Sequence, residues 1–132
     1  MKFLTFGKDG GADSPVDGLF LIEIKSLFSI VLLKFNKGSR EVYHSHAFNA
    51  ISWFLKGNIT EHCLNMSTGE QTKKTWRGLS KLKYTPRNHL HLVEAHENTY
   101  CITFRGAWAK TWFEYSEKEN KLITLTHGRK EI

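Results

Sequence analysis

Short runs of apolar residues broken by polar ones recur along this chain, and eight of them predict β-strands: Leu19–Ile24, Phe28–Phe35, Ala50–Leu55, Ile59–Cys63, Leu90–Glu94, Tyr100–Phe104, Lys110–Tyr115 and Lys121–Thr126. Each is rich in Ile, Val, Thr, Phe, Trp or Tyr and is bounded by Gly or polar residues, as pleated, half-buried strands are. No stretch sustains a 3.6-residue period over three turns, so no long helix is predicted. So many short strands in 132 residues predict an all-β sandwich or barrel with antiparallel pairing. The first eighteen residues carry turn chemistry (Asp9-Gly10-Gly11-Ala12-Asp13-Ser14-Pro15), which predicts a loop-rich segment ahead of a barrel core of about residues 19–126. With no repeat or linker, residues 1–132 read as a single domain.

One hairpin can be read in register. Gly57-Asn58 lies between two apolar runs and suits a two-residue turn. That turn pairs Phe54 with Glu61, Ser52 with Cys63 and Ala50 with Asn65 on one face. Trp53, Leu55, Thr60 and His62 then share the other.

Composition narrows the picture only a little. A net charge of +6 is compatible with an anionic ligand, but the basic residues are not gathered on one predicted element. Lys73, Lys74 and Arg77, then Lys81, Lys83 and Arg87, read as a solvated loop, so nucleic acid is disfavoured as a partner. Cys63 and Cys101 lie in apolar runs without a CxxC partner and read as reduced thiols, Cys63 as a small buried hydrophobe. The apolar stretch at Phe3–Phe6 is too short for a secretory signal. The longest greasy stretch, Leu19 to Phe35, is interrupted by Glu23, Lys25, Ser26 and Lys34. A soluble, cytoplasmic chain with no membrane partner is expected.

Seven histidines would mean little if scattered, but four form two close pairs, His44-Ser45-His46 and His89-Leu90-His91. Residues two apart on a strand point to one face, roughly 7 Å apart. Strand twist can bring two such imidazoles onto one ion, with a third from a neighbouring strand. Imidazole suits Fe, Zn, Cu and Ni, and three protein ligands leave positions for water or substrate.

The segment from Gly38 to Gly57 resembles the first cupin motif: a glycine, five residues, HxH, three or four residues, a glutamate, six residues and a glycine. Gly38, His44, His46 and Gly57 match in identity and spacing, while Ala50 stands in the glutamate's place. Pro86 and His91 match the second cupin motif, in which Ser80, Asn88 and Ala95 replace two glycines and an asparagine. The resemblance covers about Phe28 to Tyr115 and is similar to that of short stand-alone cupin-like proteins of bacteria and phages. It implies a cupin-type double-stranded β-helix, or jelly-roll, barrel with a divalent metal inside, held by His44, His46 and His91. Fe(II) is the first choice of ion, with Zn, Ni and Mn as alternatives. A site with three histidines and no glutamate is similar to the thiol dioxygenase subgroup of cupins. Small cupins also pair through edge strands, so a homodimer is expected.

Other residues are candidates around that site. Asn49 is placed to orient a histidine or touch substrate, and Tyr43 to supply a hydroxyl, as Tyr84 and Tyr100 also are. His89 reads equally as a further ligand, as a partner of His91 or as a loop histidine. His62, His96 and His127 read as structural or exposed. Arg105 sits either at the barrel mouth, binding a carboxylate or phosphate bidentately, or on the rim. Trp53, Trp108, Trp112, Phe48, Phe54, Phe104 and Phe113 are expected in the barrel core. No Ser-His-Asp order, phosphate-binding Gly loop or HxD iron motif is present. The leading expectation is a mononuclear Fe(II)-dependent, dioxygenase-like enzyme acting on a small polar or anionic substrate. Two alternatives remain open: a non-catalytic binding module for an anionic ligand or protein partner, and a metal-independent sugar isomerase or epimerase using His44 or His46 as base with a Tyr as acid.

Overall fold

A computed structural model describes residues 2–9, 14–38, 43–79, 82–87, 89–116, 120–126 and 130–131. Ser80, Lys81, Asn88 and His127 lie outside the described residues. All regular structure in it is β: β1 (Lys2–Lys8), β2 (Val16–Ile24), β3 (Phe28–Phe35), β4 (Tyr43–His44), β5 (Ala50–Lys56), β6 (Asn58–Leu64), β7 (Gln71–Arg77), β8 (Lys83–Thr85), β9 (Leu90–Ala95), β10 (Thr99–Arg105), β11 (Thr111–Ser116), β12 (Lys121–Thr126) and β13 (Lys130–Glu131). One sheet has the order β1-β2-β3-β10-β5-β8 and the other β13-β12-β11-β4-β9-β6-β7. Every pairing is antiparallel. This is a jelly-roll barrel, and each of the eight apolar runs is a strand of it.

Four readings are corrected. First, the N-terminal segment is not wholly loop. Lys2–Lys8 forms β1 on the outer edge of β2, with every side chain exposed, so it carried no buried alternation to read. Second, β5 and β6 do not pair as a hairpin. They belong to different sheets, β5 between β10 and β8 and β6 between β9 and β7. The faces survive the correction: Ala50, Ser52 and Phe54 line the interior with Ile59, and Glu61 is buried too. Alternation records which face is buried, while the partner strand is set by packing elsewhere.

Third, the basic segments are not a solvated loop. Lys73, Lys74 and Arg77 lie on β7, an edge strand paired, among the described residues, only with β6. Lysines there discourage edge-to-edge association. Only Trp76 turns partly inward, stacking on Phe54 with ring centroids 6.4 Å apart. Lys83 is buried on β8. Fourth, three aromatics expected in the core are outside it. Trp53, Phe104 and Phe113 are exposed, whereas Phe48, Phe54 and Trp112 are buried. On β10 the inward positions are taken by Cys101, Thr103 and Arg105, which puts Phe104 outward by the two-residue period.

Two apolar clusters fill the barrel. Phe20, Val31, Leu33, Phe54, Ile59, Ala95 and Cys101 form one, and Ala47, Phe48, Ala50, Trp112 and Leu125 form the other. A cavity of about 290 Å³ is lined by members of both. Burying a side chain such as Phe54 contributes roughly 1.5–3 kcal/mol, and residues of both sheets share that first cluster.

The two motif glycines answer to backbone geometry. Gly38 has φ +124° and Gly57 φ +101°, values that L side chains rarely adopt. Gly38 exchanges two backbone hydrogen bonds with Ala95, at 3.0 and 2.9 Å, tying the two motif segments together. Gly57 is the corner where the chain leaves one sheet for the other. A Cβ there would stand 2.7 Å from Thr99 Cα and 2.9 Å from the Asn98 carbonyl oxygen. Gly57→Ala is therefore expected to cost about 2 kcal/mol or more in chemical denaturation, since both strain and a backbone clash resist it.

Candidate metal centre

The histidine cluster is built by strand pairing. His44 ends β4 and lies directly opposite His91 on β9. His46 follows β4, where its N–H bonds to the Arg87 carbonyl at 3.3 Å. Ser45, between the two, is clamped to β11: its N–H donates to the Phe113 carbonyl and its Oγ accepts from Phe113 N–H, both at 2.8 Å. This clamp fixes the backbone that carries both histidines. The result is a group of three imidazoles, His44, His46 and His91, with one ring nitrogen of each within 4.8 Å of the others. The three ring centroids lie 4.8–5.0 Å apart.

Glu61 sets the chemistry of this group. Its Oε2 accepts a hydrogen bond from His91 Nδ1 at 2.6 Å. A carboxylate can only accept, so Nδ1 carries the proton and the Nε2 lone pair of His91 is left for the cavity. His91 Nε2 lies 2.9 Å from His46 Nε2. Two nitrogens each about 2.1 Å from one ion and at right angles lie about 3.0 Å apart, so the spacing suits a shared divalent cation. Lys83 Nζ sits 2.7 Å from Glu61 Oε2 and also donates to Thr85 Oγ1. Trp76 Nε1 donates to Oε1 at 3.3 Å.

The electrostatics favour neutral imidazoles at His46 and His91. Burial pushes His46 well below its ordinary 6.5, and the charges of His44, His91, Arg105 and Lys83 push the same way. Burial also lowers His91, partly offset by Glu61. For Glu61, burial alone would raise the carboxyl group. The imidazoles of His89 and His91 and the Lys83 ammonium outweigh it and hold the group well below 4.5.

The cupin resemblance brings the three histidines together, whereas the sequence places Glu61 only on the face shared by Ala50, Ser52 and Phe54. Its inward parity was legible; its neighbours were not, because β6 pairs with β9 instead of β5. The remaining candidates fall in several places. Asn49 is exposed and its Oδ1 accepts from Arg87 N–H at 2.7 Å, which clips a loop and leaves it outside the cluster. Tyr43 is buried on the face of β4 opposite His44, and Tyr84 and Tyr100 are exposed; none of them lines the cavity. His89 Nε2 lies 3.2 Å from Cys63 Sγ and 3.7 Å from Glu61 Oε2, forming a second group with them. Cys63 is accordingly half-buried with a polar neighbour, and burial pushes its thiol up. His62 lies 3.9 Å from Glu94, and His96 bonds Thr60 Oγ1 at 2.6 Å on the surface. Arg105 is 4% exposed, inside the cavity wall and not on the rim.

Two consequences can be measured. In metal-free protein the depressed histidines bind protons more readily unfolded than folded. Stability is therefore complete above about pH 6.5 and falls as pH drops below it; thermal melts of chelator-treated protein between pH 8 and 5 should show the decline. Glu61, held below its ordinary 4.5, adds a further loss that begins as the unfolded carboxylate protonates near that value and grows as pH falls. Separately, Glu61→Gln strands Lys83 as a buried charge and weakens the hold on His91. It should cost about 3–5 kcal/mol and lower metal affinity roughly 10–100-fold. Adding Lys83→Met should restore stability in denaturant melts without restoring metal affinity in titrations.

Comparison with known proteins gives the fold its relatives. No family model matches the sequence, and no curated protein matches it. Among solved structures, oxalate decarboxylase of Bacillus subtilis superposes with a TM-score of 0.56 at 16% identity, over 73% of this chain and 26% of that one. HEPD of Streptomyces albus, determined with 2-hydroxyethylphosphonate and Fe(II) bound, gives 0.64 at 11% identity, over 81% and 25%. An RmlC-like cupin from Shewanella frigidimarina gives 0.56 at 14% identity, over 78% and 83%. The chain thus spans about a quarter of the first two proteins and most of the third's length. Likeness at such low identity speaks for the architecture, and by that architecture the chain folds as a cupin.

Proposed function

We propose that the chain is a metal-binding cupin in which His44, His46 and His91 hold one divalent ion, and that it is a dioxygenase-like enzyme acting on a small polar or anionic substrate. The observation that carries this reading is the convergence of three imidazole nitrogens within 4.8 Å, in a cavity, with His91 oriented by Glu61. Fe(II) is the ion favoured, since imidazole donors suit it and it is the ion bound in the Streptomyces albus relative; Zn, Ni and Mn suit the same donors. Once bound, the ion supplies Lewis acidity, a template for substrate and, if it is iron, redox chemistry.

The chain's own contributions are plainer. Glu61 fixes the tautomer of His91, and Lys83 balances the carboxylate from the opposite sheet. Phe48, stacked on His46 at 5.1 Å, and Trp108, tilted against Phe48 at 5.3 Å, wall one side with apolar surface. Three neutral imidazoles leave the charge of a divalent ion uncompensated in that wall, which favours an anionic substrate. The isomerase alternative needs a Tyr beside a histidine in the cavity, and none of the four tyrosines lines it.

Elemental analysis of protein purified without a histidine tag tests the reading. Wild type is expected to carry close to one ion per chain, while His44→Ala and His91→Ala, checked for folding by circular dichroism, lose most of it. Full metal content in those variants would show the ligand assignment to be wrong.

A further inference from the structure

Besides the histidines, charged groups line the cavity, Glu23, Lys25, Lys83 and Arg105 among them. Arg105 closes β10 with its side chain 3% exposed, and it lines the same cavity as His44 and His46. Its two terminal nitrogens donate to the two oxygens of Asp9, Nη1 to Oδ1 at 3.0 Å and Nη2 to Oδ2 at 2.7 Å. The guanidinium carbon lies 4.6 Å from the centre of the Phe48 ring, the ring that also stacks on His46. Its Nε has no hydrogen-bond partner among the described residues. A planar fork set against an aromatic face, with two parallel bonds to one carboxylate, is the arrangement proteins use to recognise carboxylate ligands.

Asp9 lines the same cavity, and its backbone N–H bonds to the Val16 carbonyl at 2.9 Å. It follows β1, the outermost strand of its sheet, which among the described residues pairs only with β2 and exposes every side chain. A strand with so little burial opens at low free-energy cost compared with the core. Stability alone is a poor reason for this pair, because an apolar pair of similar volume would serve as well or better.

We propose that Arg105 is the anchor for a small carboxylate ligand of this cavity, and that Asp9 is a built-in competitor that occupies the guanidinium until the ligand displaces it. This names the substrate class for the metal-site reading and rests on that reading for the role of the histidines. The resident group is itself a carboxylate, so the fork already has the geometry its ligand requires. At about 290 Å³ the cavity lies at the small end of ligand sites, which suits a short organic acid.

Malonate serves as the probe, titrated calorimetrically into chelator-treated and metal-loaded protein. Asp9→Ala is expected to bind it at least about tenfold more tightly than wild type, a difference of about 1.4 kcal/mol. Asp9→Ala with Arg105→Gln is expected to lose that gain. In wild type, saturating malonate should speed hydrogen exchange of the β1 amides, residues 2–8, as Asp9 leaves the guanidinium; this arm stands even if the variants fail to fold. Unchanged exchange in β1, no binding to wild type at tens of millimolar, or a gain that persists without Arg105 would each overturn the proposal. The exchange arm needs no metal. A protein that releases β1 yet holds no ion upholds the anchor and sinks the metal site, and the reverse result does the opposite.

Discussion

A carboxylate as buried as Glu61, 4% exposed, stays ionised only when its surroundings replace the water it has lost. Here the replacement comes from three directions. His91 approaches from the neighbouring strand of the same sheet, Trp76 from the strand on the other side, and Lys83 from the edge of the opposite sheet. The Lys83–Glu61 pair is thus a polar bridge between the two sheets of the barrel. The Glu61–His91 bond turns that bridge into an instrument, because it decides which nitrogen of His91 faces the cavity.

This arrangement gives physical meaning to the departure from the cupin motif at Ala50. That position is a buried, small residue in the cavity wall, so the wall offers no oxygen donor there. Negative charge reaches the histidines from behind, through the ring of His91. The effect on a bound ion is weaker than that of a direct carboxylate, because an imidazole intervenes and Lys83 offsets the charge. The proposed site is therefore electron-poor, and the buried cations Lys83 and Arg105 line the same chamber. Both cations are already answered by carboxylates of the chain, Glu61 from a central strand and Asp9 from beyond an edge strand. Their different anchorage separates a fixed structural pair from an exchangeable one.

Much of this was legible in the chain, and the failures share one cause. The runs from Leu19 to Thr126 declared themselves as strands because a half-buried sheet imposes a period of two. Gly38, Gly57 and the histidine spacing pointed to the barrel and the cluster through their resemblance to the cupin motifs. Phe104, Trp53 and Lys83 were misplaced because burial of an individual side chain depends on which strand covers it. An aromatic can face outward when Cys101, Thr103 and Arg105 hold the inner positions of its strand. A lysine can be buried when a carboxylate from another sheet meets it.

By itself, then, the sequence determined the strand periodicity, the inward parity of Ala50, Ser52, Phe54 and Glu61, and the pair His44 and His46 on one short segment. These are consequences of backbone geometry over a few residues. Only the tertiary structure decided that β6 lies beside β9 and not β5, which delivers Glu61 to His91, and that β1 brings Asp9 to Arg105. The contact between Asp9 and Arg105 joins residues 96 positions apart, and that between Glu61 and His91 joins residues 30 apart. No local period encodes such distances; they are fixed by which sheets close on a common core.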